Sequence, residues 1–330
     1  MTATERDLDV LSFGEALIDL FPSTTGLPLG EVEVFHRHLG GAPCNVAVGL
    51  GRLGARAGLM TLVGSDEFGR FVRRRLIEEG VDASTVGTHA SARTGVTFVA
   101  VASDGQRSFL SYRGGAGQHA ADQLIAEADI DPAAIARARV FHFGSSTLAR
   151  DPARSATRKA LAAALSAGSI VSIDPNWRPH LWDDPAAAPA LLRDALAHAD
   201  IVKISDDELA PIVATTDPAS GARALRGLGA KLVVVTRGAL GCYFDGPSGS
   251  GFLDGESVPI VDTTGAGDGF VAGLLAALSP AFNSGASVDD LNLESLRSAC
   301  ALGNRIGAQT VTRLGATAGI PRRNELPRTS

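Results

Sequence analysis

Cysteine is scarce. Cys44, Cys242 and Cys300 are the only three in 330 residues, an odd and scattered set that builds neither a disulfide framework nor a metal cluster. That usage fits a reducing compartment, and we expect a cytoplasmic protein. The seven histidines show no metal-ligand spacing, and His36 and His38 read most simply as strand residues. No run reaches the ~18 apolar residues a membrane span needs. Residues 1–7 are polar and carry no signal-type apolar core. Positive charge is not in excess. The formal net charge is −6, so no basic surface for nucleic acid is implied. No G-x-x-x-x-G-K-[ST] phosphate loop occurs. Gly49, Gly51 and Gly54 do show the G-x-G-x-x-G spacing of dinucleotide sites. They follow a helical pattern, not a strand, and Gly54 reads as a helix terminator, so we expect no nicotinamide site.

What is present is an alternation. With 45% hydrophobic and 20% charged residues, the chain suits one large α/β domain with an excursion, or two domains. Strand-like runs fall at 10–13, 59–63, 140–143, 170–173, 201–204 and 232–235. Helical patterns lie between most of them, at 45–53, 68–79, 153–167, 187–198 and 296–309. This predicts a mostly parallel sheet covered by helices on both faces. Ligands of such sheets bind beyond the carboxyl ends of the strands. Asp19, Asp174, Ser205, Thr236 and Asp262 all lie at or shortly after the end of a strand-like run and are expected on one rim. Two stretches break the alternation. Residues 18–35 are interrupted by Pro22, Gly26, Pro28 and Gly30, and residues 93–113 read as strands 96–102 and 108–112 joined by Ser103-Asp104-Gly105-Gln106. Together they predict a small antiparallel sheet beside the main one. Residues 246–255 read as one exposed hairpin.

One stretch organises the rest. An apolar β-type run, 258–262, leads into Thr263-Thr264-Gly265-Ala266-Gly267-Asp268, and an almost wholly apolar helical pattern follows from Phe270. Free N–H groups and the helix dipole at such a start make an anion site, and small residues let a phosphate approach the backbone. Asp268 sits in that first turn. The residues leave it two roles: stabilising its helix by about 0.3–1 kcal/mol, or acting as general base toward a hydroxyl that attacks a phosphoryl group. The dipole is expected to lower its pKa.

Asp262-Thr263-Thr264-Gly265-Ala266-Gly267-Asp268 resembles the C-terminal signature of the PfkB, or ribokinase-like, sugar kinases. The resemblance extends over residues 8–321. It implies a Rossmann-like, mostly parallel α/β sheet flanked by helices. It also implies a single domain over 1–330, with a β-lid from segments at about 18–38 and 93–115. In that family the backbone of Gly265, Ala266 and Gly267 forms the anion hole and Asp268 is the catalytic base. Gly40-Gly41, followed four residues on by Asn45 at a helix start, matches the N-terminal signature. There Asp19, Gly41 and Asn45 hold sugar hydroxyls, with Gly40 beside them. Ribokinases carry Lys shortly after the glycine pair, where this chain has Ala42-Pro43. The run from Asp104 to Arg113, and Asp174-Pro175-Asn176-Trp177-Arg178 before Leu181-Trp182, resemble the fructokinase branch. Arg113 would close on the sugar. Arg178 would steady substrate or phosphate, unless it simply pairs with Asp174.

The resemblance also places Lys203, Thr236, Gly238, Gly241 and Asn304 on the nucleotide. Ser205 and Glu208 have capping-box spacing, which explains them structurally. The family instead has an Asn-x-x-Glu motif whose Glu organises Mg²⁺ through water. Ser205 replaces that Asn, and Glu208 matches. Asp262, Thr264, Thr310, Arg313 and Gly315 resemble a monovalent-cation loop for K⁺. The implied protein is an ATP-dependent kinase acting on the terminal primary hydroxyl of a small sugar, most like D-fructose. 2-Keto-3-deoxygluconate, ribose, or a non-catalytic sugar- or nucleotide-binding sensor are the alternatives. Sugar and ATP are the expected partners, together with a second copy through the lid.

Overall fold

Strands covered on both faces have no polar side to show. All six residues of Leu8–Phe13 and all eight of Ala57–Gly64 are buried, as a helix-sandwiched parallel sheet requires. The computed structural model describes residues 6–24, 26–101, 107–113 and 119–326. In chain order its strands are β1 (Leu8–Phe13), β2 (Leu17–Pro22), β3 (Phe35–Gly40), β4 (Ala57–Gly64), β5 (Val81–Asp82), β6 (Val86–His89), β7 (Gly95–Val101) and β8 (Arg107–Ser111). These are followed by β9 (Ala138–Gly144), β10 (Ile170–Asp174), β11 (Ile201–Ser205), β12 (Leu232–Thr236), β13 (Cys242–Gly246) and β14 (Gly249–Leu253). The helices are α1 (Ala42–Arg52), α2 (Glu67–Glu78), α3 (Pro132–Ala136), α4 (Ala153–Ser166), α5 (Ala188–Leu196), α6 (Asp206–Val213), α7 (Pro218–Leu228), α8 (Ala266–Asn283) and α9 (Leu293–Thr310).

The main sheet runs β14-β13-β12-β11-β10-β9-β1-β4-β5, with β6 also on β4. From β12 to β4 every pairing is parallel, and β13 and β14 return antiparallel as an edge hairpin. Successive side chains enter opposite cores. Val233 and Val235 join Phe141 and Phe143 on one face, while Leu232 and Val234 join Val140 and Phe270 on the other. The mostly parallel α/β sheet expected from the alternation is therefore observed.

The small sheet has the order β3-β2-β7-β8. Its outer pairs are antiparallel, as expected, but β2 and β7 pair in parallel, so the sheet is mixed. Parallel neighbours need a long crossover, and residues 23–94, which include β4 and α2, supply it. The Ser103–Gln106 turn lies outside the described residues. Asp19 also departs from expectation. It lies inside β2 of the small sheet, opposite His38, and not beyond a main-sheet strand.

Three helices set the site. Gly49 of α1 meets α8 so closely that a Cβ there would lie 2.6 Å from Ala272 Cβ. Gly269 would meet Thr310 Oγ1 of α9 at 2.3 Å. Gly49 thus lets α1 pack closely on α8, and Gly269 lets α8 pack closely on α9. The apolar run 258–262 is not a strand. Pro259 removes a ladder donor, Ile260 and Val261 are exposed, and the N–H groups of Val261 and Asp262 both donate to Val311 O, at 2.8 and 3.1 Å. Among the described residues no helix is long and apolar enough to cross a membrane.

Candidate active site

Gly265 caps α8 with φ 79°. A Cβ there would lie 2.5 Å from Ala316 O, so both conformation and space require glycine. The N–H groups of the first helical turn have no partner within the helix, as at any helix start. A Cβ on Gly267 would lie 2.7 Å from Lys203 Nζ, which places that ammonium directly over the glycine turn. Lys203 is buried and donates to Asp174 Oδ2 at 2.9 Å. Burial alone would lower its pKa, but Asp174, Glu208 and Asp268 outweigh that and hold it charged. The buried His142, 3.1 Å from Ser172 Oγ, is driven down to about 3 by burial and by Lys203, so it stays neutral.

Asp268 is 6% exposed, facing away from bulk water in the first turn of α8. Its Oδ2 accepts from Asn45 Nδ2 at 2.8 Å, and its Oδ1 from Asn176 Nδ2 at 3.4 Å. The expected low pKa is not what the surroundings produce. Burial pushes Asp268 up to about 7, with Asp174 and Glu15 adding to it and Asn45 and Lys203 opposing. Desolvation thus overrides the helix dipole, and the carboxylate becomes a stronger base than its position alone suggests.

Asn45 enters from α1, whose N-cap Gly41 has φ 98° and no room for a Cβ, which would lie 2.4 Å from Glu15 O. Asn45 Oδ1 is buried without a hydrogen-bond partner. Asp19 lies against Gly40, where a Cβ would sit 2.3 Å from its Oδ2. Burial also raises Asp19 to about 7, against the pull of Arg113. Asp19, Gly40, Gly41, Asn45, Gly265, Ala266, Gly267 and Asp268 are therefore brought to one place.

The other expected residues divide. Arg113 is buried and ion-paired with Asp122. Arg178 is exposed and donates to Trp177 O at 3.1 Å, so its pairing with Asp174 is replaced by that of Lys203. Glu208 accepts from Ser205 N at 2.9 Å, from Ser205 Oγ at 2.7 Å, and from Trp177 N–H. Thr236 ends β12 beside Gly238 and Gly241, which have φ 54° and 85°. Asn304 ties α9 to the end of the hairpin by donating to Asp254 O at 3.1 Å. Asp262 joins two loops: Oδ1 accepts from Thr264 N at 2.9 Å and Oδ2 from Gly315 N at 2.7 Å. Thr310 Oγ1 turns back to Ile306 O at 2.7 Å, and Arg313 is exposed.

Glu15, Asn176 and Asp122 were not singled out from the sequence. Glu15 accepts from Ala42 N at 3.2 Å and from Ser146 Oγ, pinning the start of α1 to the loop after β9. A carboxylate one residue beyond Gly14, just past β1, was the available signal. Asn176 was visible only as part of its motif, and its φ of 46° marks it as a strained position for a non-glycine residue.

A glycine turn at one helix start, a buried carboxylate within it and an amide from a second helix start, above the carboxyl ends of a parallel sheet, define a ribokinase-like fold and site. The chain belongs to the pfkB family of carbohydrate kinases, whose pattern matches residues 7–323. It is 39% identical to the probable fructokinase-7 of Arabidopsis thaliana, covering 97% of this chain and 92% of that one. Fructokinase from Xylella fastidiosa, solved with bound ATP, superposes with TM-score 0.86 at 33% identity, over 96% of each chain. Fructokinase from Vibrio cholerae O395, solved with fructose, ADP and a calcium ion, superposes with TM-score 0.82 at 32% identity, covering 96% and 97%. A double mutant of that enzyme was solved with fructose, ADP and a potassium ion.

Proposed function

We propose that the chain is an ATP-dependent fructokinase, transferring the γ-phosphoryl group of ATP to the terminal primary hydroxyl of D-fructose. The observation that carries this reading is Asp268, buried in the first turn of α8 and held by Asn45 at 2.8 Å. Asp19, Gly41 and Asn45 orient the sugar. Asp268 accepts the proton of the attacking hydroxyl as its oxygen bonds to phosphorus. The N–H groups of the Gly265–Gly267 turn, with Lys203 above it, stabilise the charge on the transferring group. Thr236, Gly238, Gly241 and Asn304 line the nucleotide end. Relatives solved with fructose and with ATP support both ligands.

Divalent and monovalent cations belong to the same reading. Glu208 has three of its roughly four lone-pair sites taken by Ser205 and Trp177, which suits it to holding one water of Mg²⁺ and not to chelating the ion. Mg²⁺ on the ATP phosphates supplies charge neutralisation. Asp262 fixes the two loops, 262–264 and 310–315, whose carbonyls would surround K⁺. The small sheet serves as a lid that excludes water. Its exposed Val34, Leu110 and Tyr112 suit contact with a second copy. The three buried free cysteines suit a reducing, cytoplasmic setting.

The test is a sugar panel followed by ADP release. We expect kcat/KM for fructose at least ~100-fold above that for 2-keto-3-deoxygluconate or ribose, a selectivity of roughly 2.7 kcal/mol. Preference for the sugar acid would move the assignment to that substrate. No ADP with any sugar would leave a binding protein.

A further inference from the structure

Arg113 and Asp122 form a buried pair whose second contacts are open. Arg113 Nη2 donates to Asp122 Oδ2, while Arg113 Nε and Asp122 Oδ1 are both buried without a hydrogen-bond partner. The side chains are 10% and 1% exposed. Asp122 comes from the short 3₁₀ turn Ala121–Leu124, outside every motif the family resemblance carries. Two more carboxylates act on the same guanidinium. Glu15 is anchored on Ala42 N and Ser146 Oγ, and Asp19 lies against Gly40. The fields of Asp122, Glu15 and Asp19 together outweigh burial and keep Arg113 charged, while burial pushes Asp122 up against the pull of Arg113. Three carboxylates thus share one cation. The other cationic side chains of the site do not relieve this. Lys203 is committed to Asp174 at 2.9 Å, and Arg178 is exposed.

Resting on the sugar-kinase reading of this pocket, we infer that Asp122 is a specificity residue, which acts by occupying Arg113 so that the pocket takes neutral sugars and rejects sugar acids. A carboxylate only accepts hydrogen bonds. If it accepts from the free Nε–H it has no proton for Asp122 Oδ1, and it sets a second negative charge against Asp122 in a buried place, a strongly unfavourable outcome. A hydroxyl both donates and accepts, so it can take the free Nε–H and the free Oδ1 without breaking the pair. A neutral polyol therefore completes the hydrogen bonding that the pair leaves open, and the carboxylate of a sugar acid cannot.

The experiment compares wild type, Asp122→Asn and Asp122→Glu on fructose and on 2-keto-3-deoxygluconate. Asp122→Asn keeps the shape and removes the competing charge. It should raise the acid-to-fructose ratio of kcat/KM at least ~30-fold, through KM for the acid. Asp122→Glu restores the charge and should keep the wild-type ratio within ~5-fold. A structural role alone would lower both substrates together and leave the ratio flat. A second arm needs no variant. The methyl ester of the keto acid has lost its charge, and wild type should use it at least ~10-fold better than the free acid. Wild type that prefers fructose, with a flat ratio in Asp122→Asn or equal use of ester and acid, overturns this inference alone. Wild type that turns over no sugar, or prefers the acid, overturns the fructokinase reading and this inference with it.

Discussion

Asn45 and Asp268 stand 223 residues apart in sequence and 2.8 Å apart in space, one in the first turn of α1 and the other in the first turn of α8. Two helix N-termini thus face one point, and the carboxylate between them is poised near neutrality, since burial lifts it to about 7. Asp19 lies in the same field at about 7. The acid limb of kcat/KM should therefore fall near pH 7 and belong to the two carboxyls jointly. The Asn45 hydrogen bond lowers the Asp268 pKa. Asn45→Ala should move the limb to higher pH. An unmoved limb would mean that another group titrates.

Stability should show the same carboxylate with the opposite sign. The folded pKa of Asp268 lies above its unfolded value of 3.8, so its favourable contribution is complete below about pH 4 and is lost as pH rises through about 7. Asp268→Asn escapes that loss. Its melting temperature should match wild type near pH 4 and exceed it most at pH 8. A constant difference across the range would show that Asp268 is not desolvated in the folded protein.

Much of the fold is legible in the sequence, for identifiable reasons. Both-face burial makes strands such as β9 and β12 unbroken apolar runs, and α1, α2 and α4 announce themselves by period. The 258–262 run looks like a strand in sequence because an extended apolar segment reads the same whether it pairs in a sheet or, like Ile260 and Val261, stays outside one. The parallel β2–β7 pairing was hidden because a crossover through residues 23–94 sets it, not the strands themselves. Asp268 was readable from its glycine turn, but its pKa was not, because Asp174, Glu15 and the burial that lift it come from distant elements. Asn176, 92 residues from Asp268, and Asp122 were beyond reach for the same reason.

The glycine turn should tolerate nothing larger. Gly265→Ala places a Cβ 2.5 Å from Ala316 O at a φ of 79°, so the turn must shift and its N–H groups lose their aim. We expect kcat to fall by about 10²-fold or more, with KM for the sugar nearly constant because Asp19 and Asn45 are untouched. A normal kcat would remove the turn from the reaction.

Asp262 ties the 262–264 turn to Gly315 behind that same anion site. A monovalent cation held there would order the Gly265–Gly267 amides. Activity in potassium chloride should then exceed activity in tetramethylammonium chloride at equal ionic strength. Equal rates would dismiss the cation site and leave the kinase assignment standing.

In the fructokinase reading Asp268 takes the proton from the attacking sugar hydroxyl. The most direct test of this transfer is kcat for Asp268→Asn with saturating fructose and ATP, alongside the fructose dissociation constant by calorimetry. We expect a loss of roughly 10²–10⁴-fold in kcat with the dissociation constant little changed. A variant that binds fructose and keeps a near-normal kcat would contradict it.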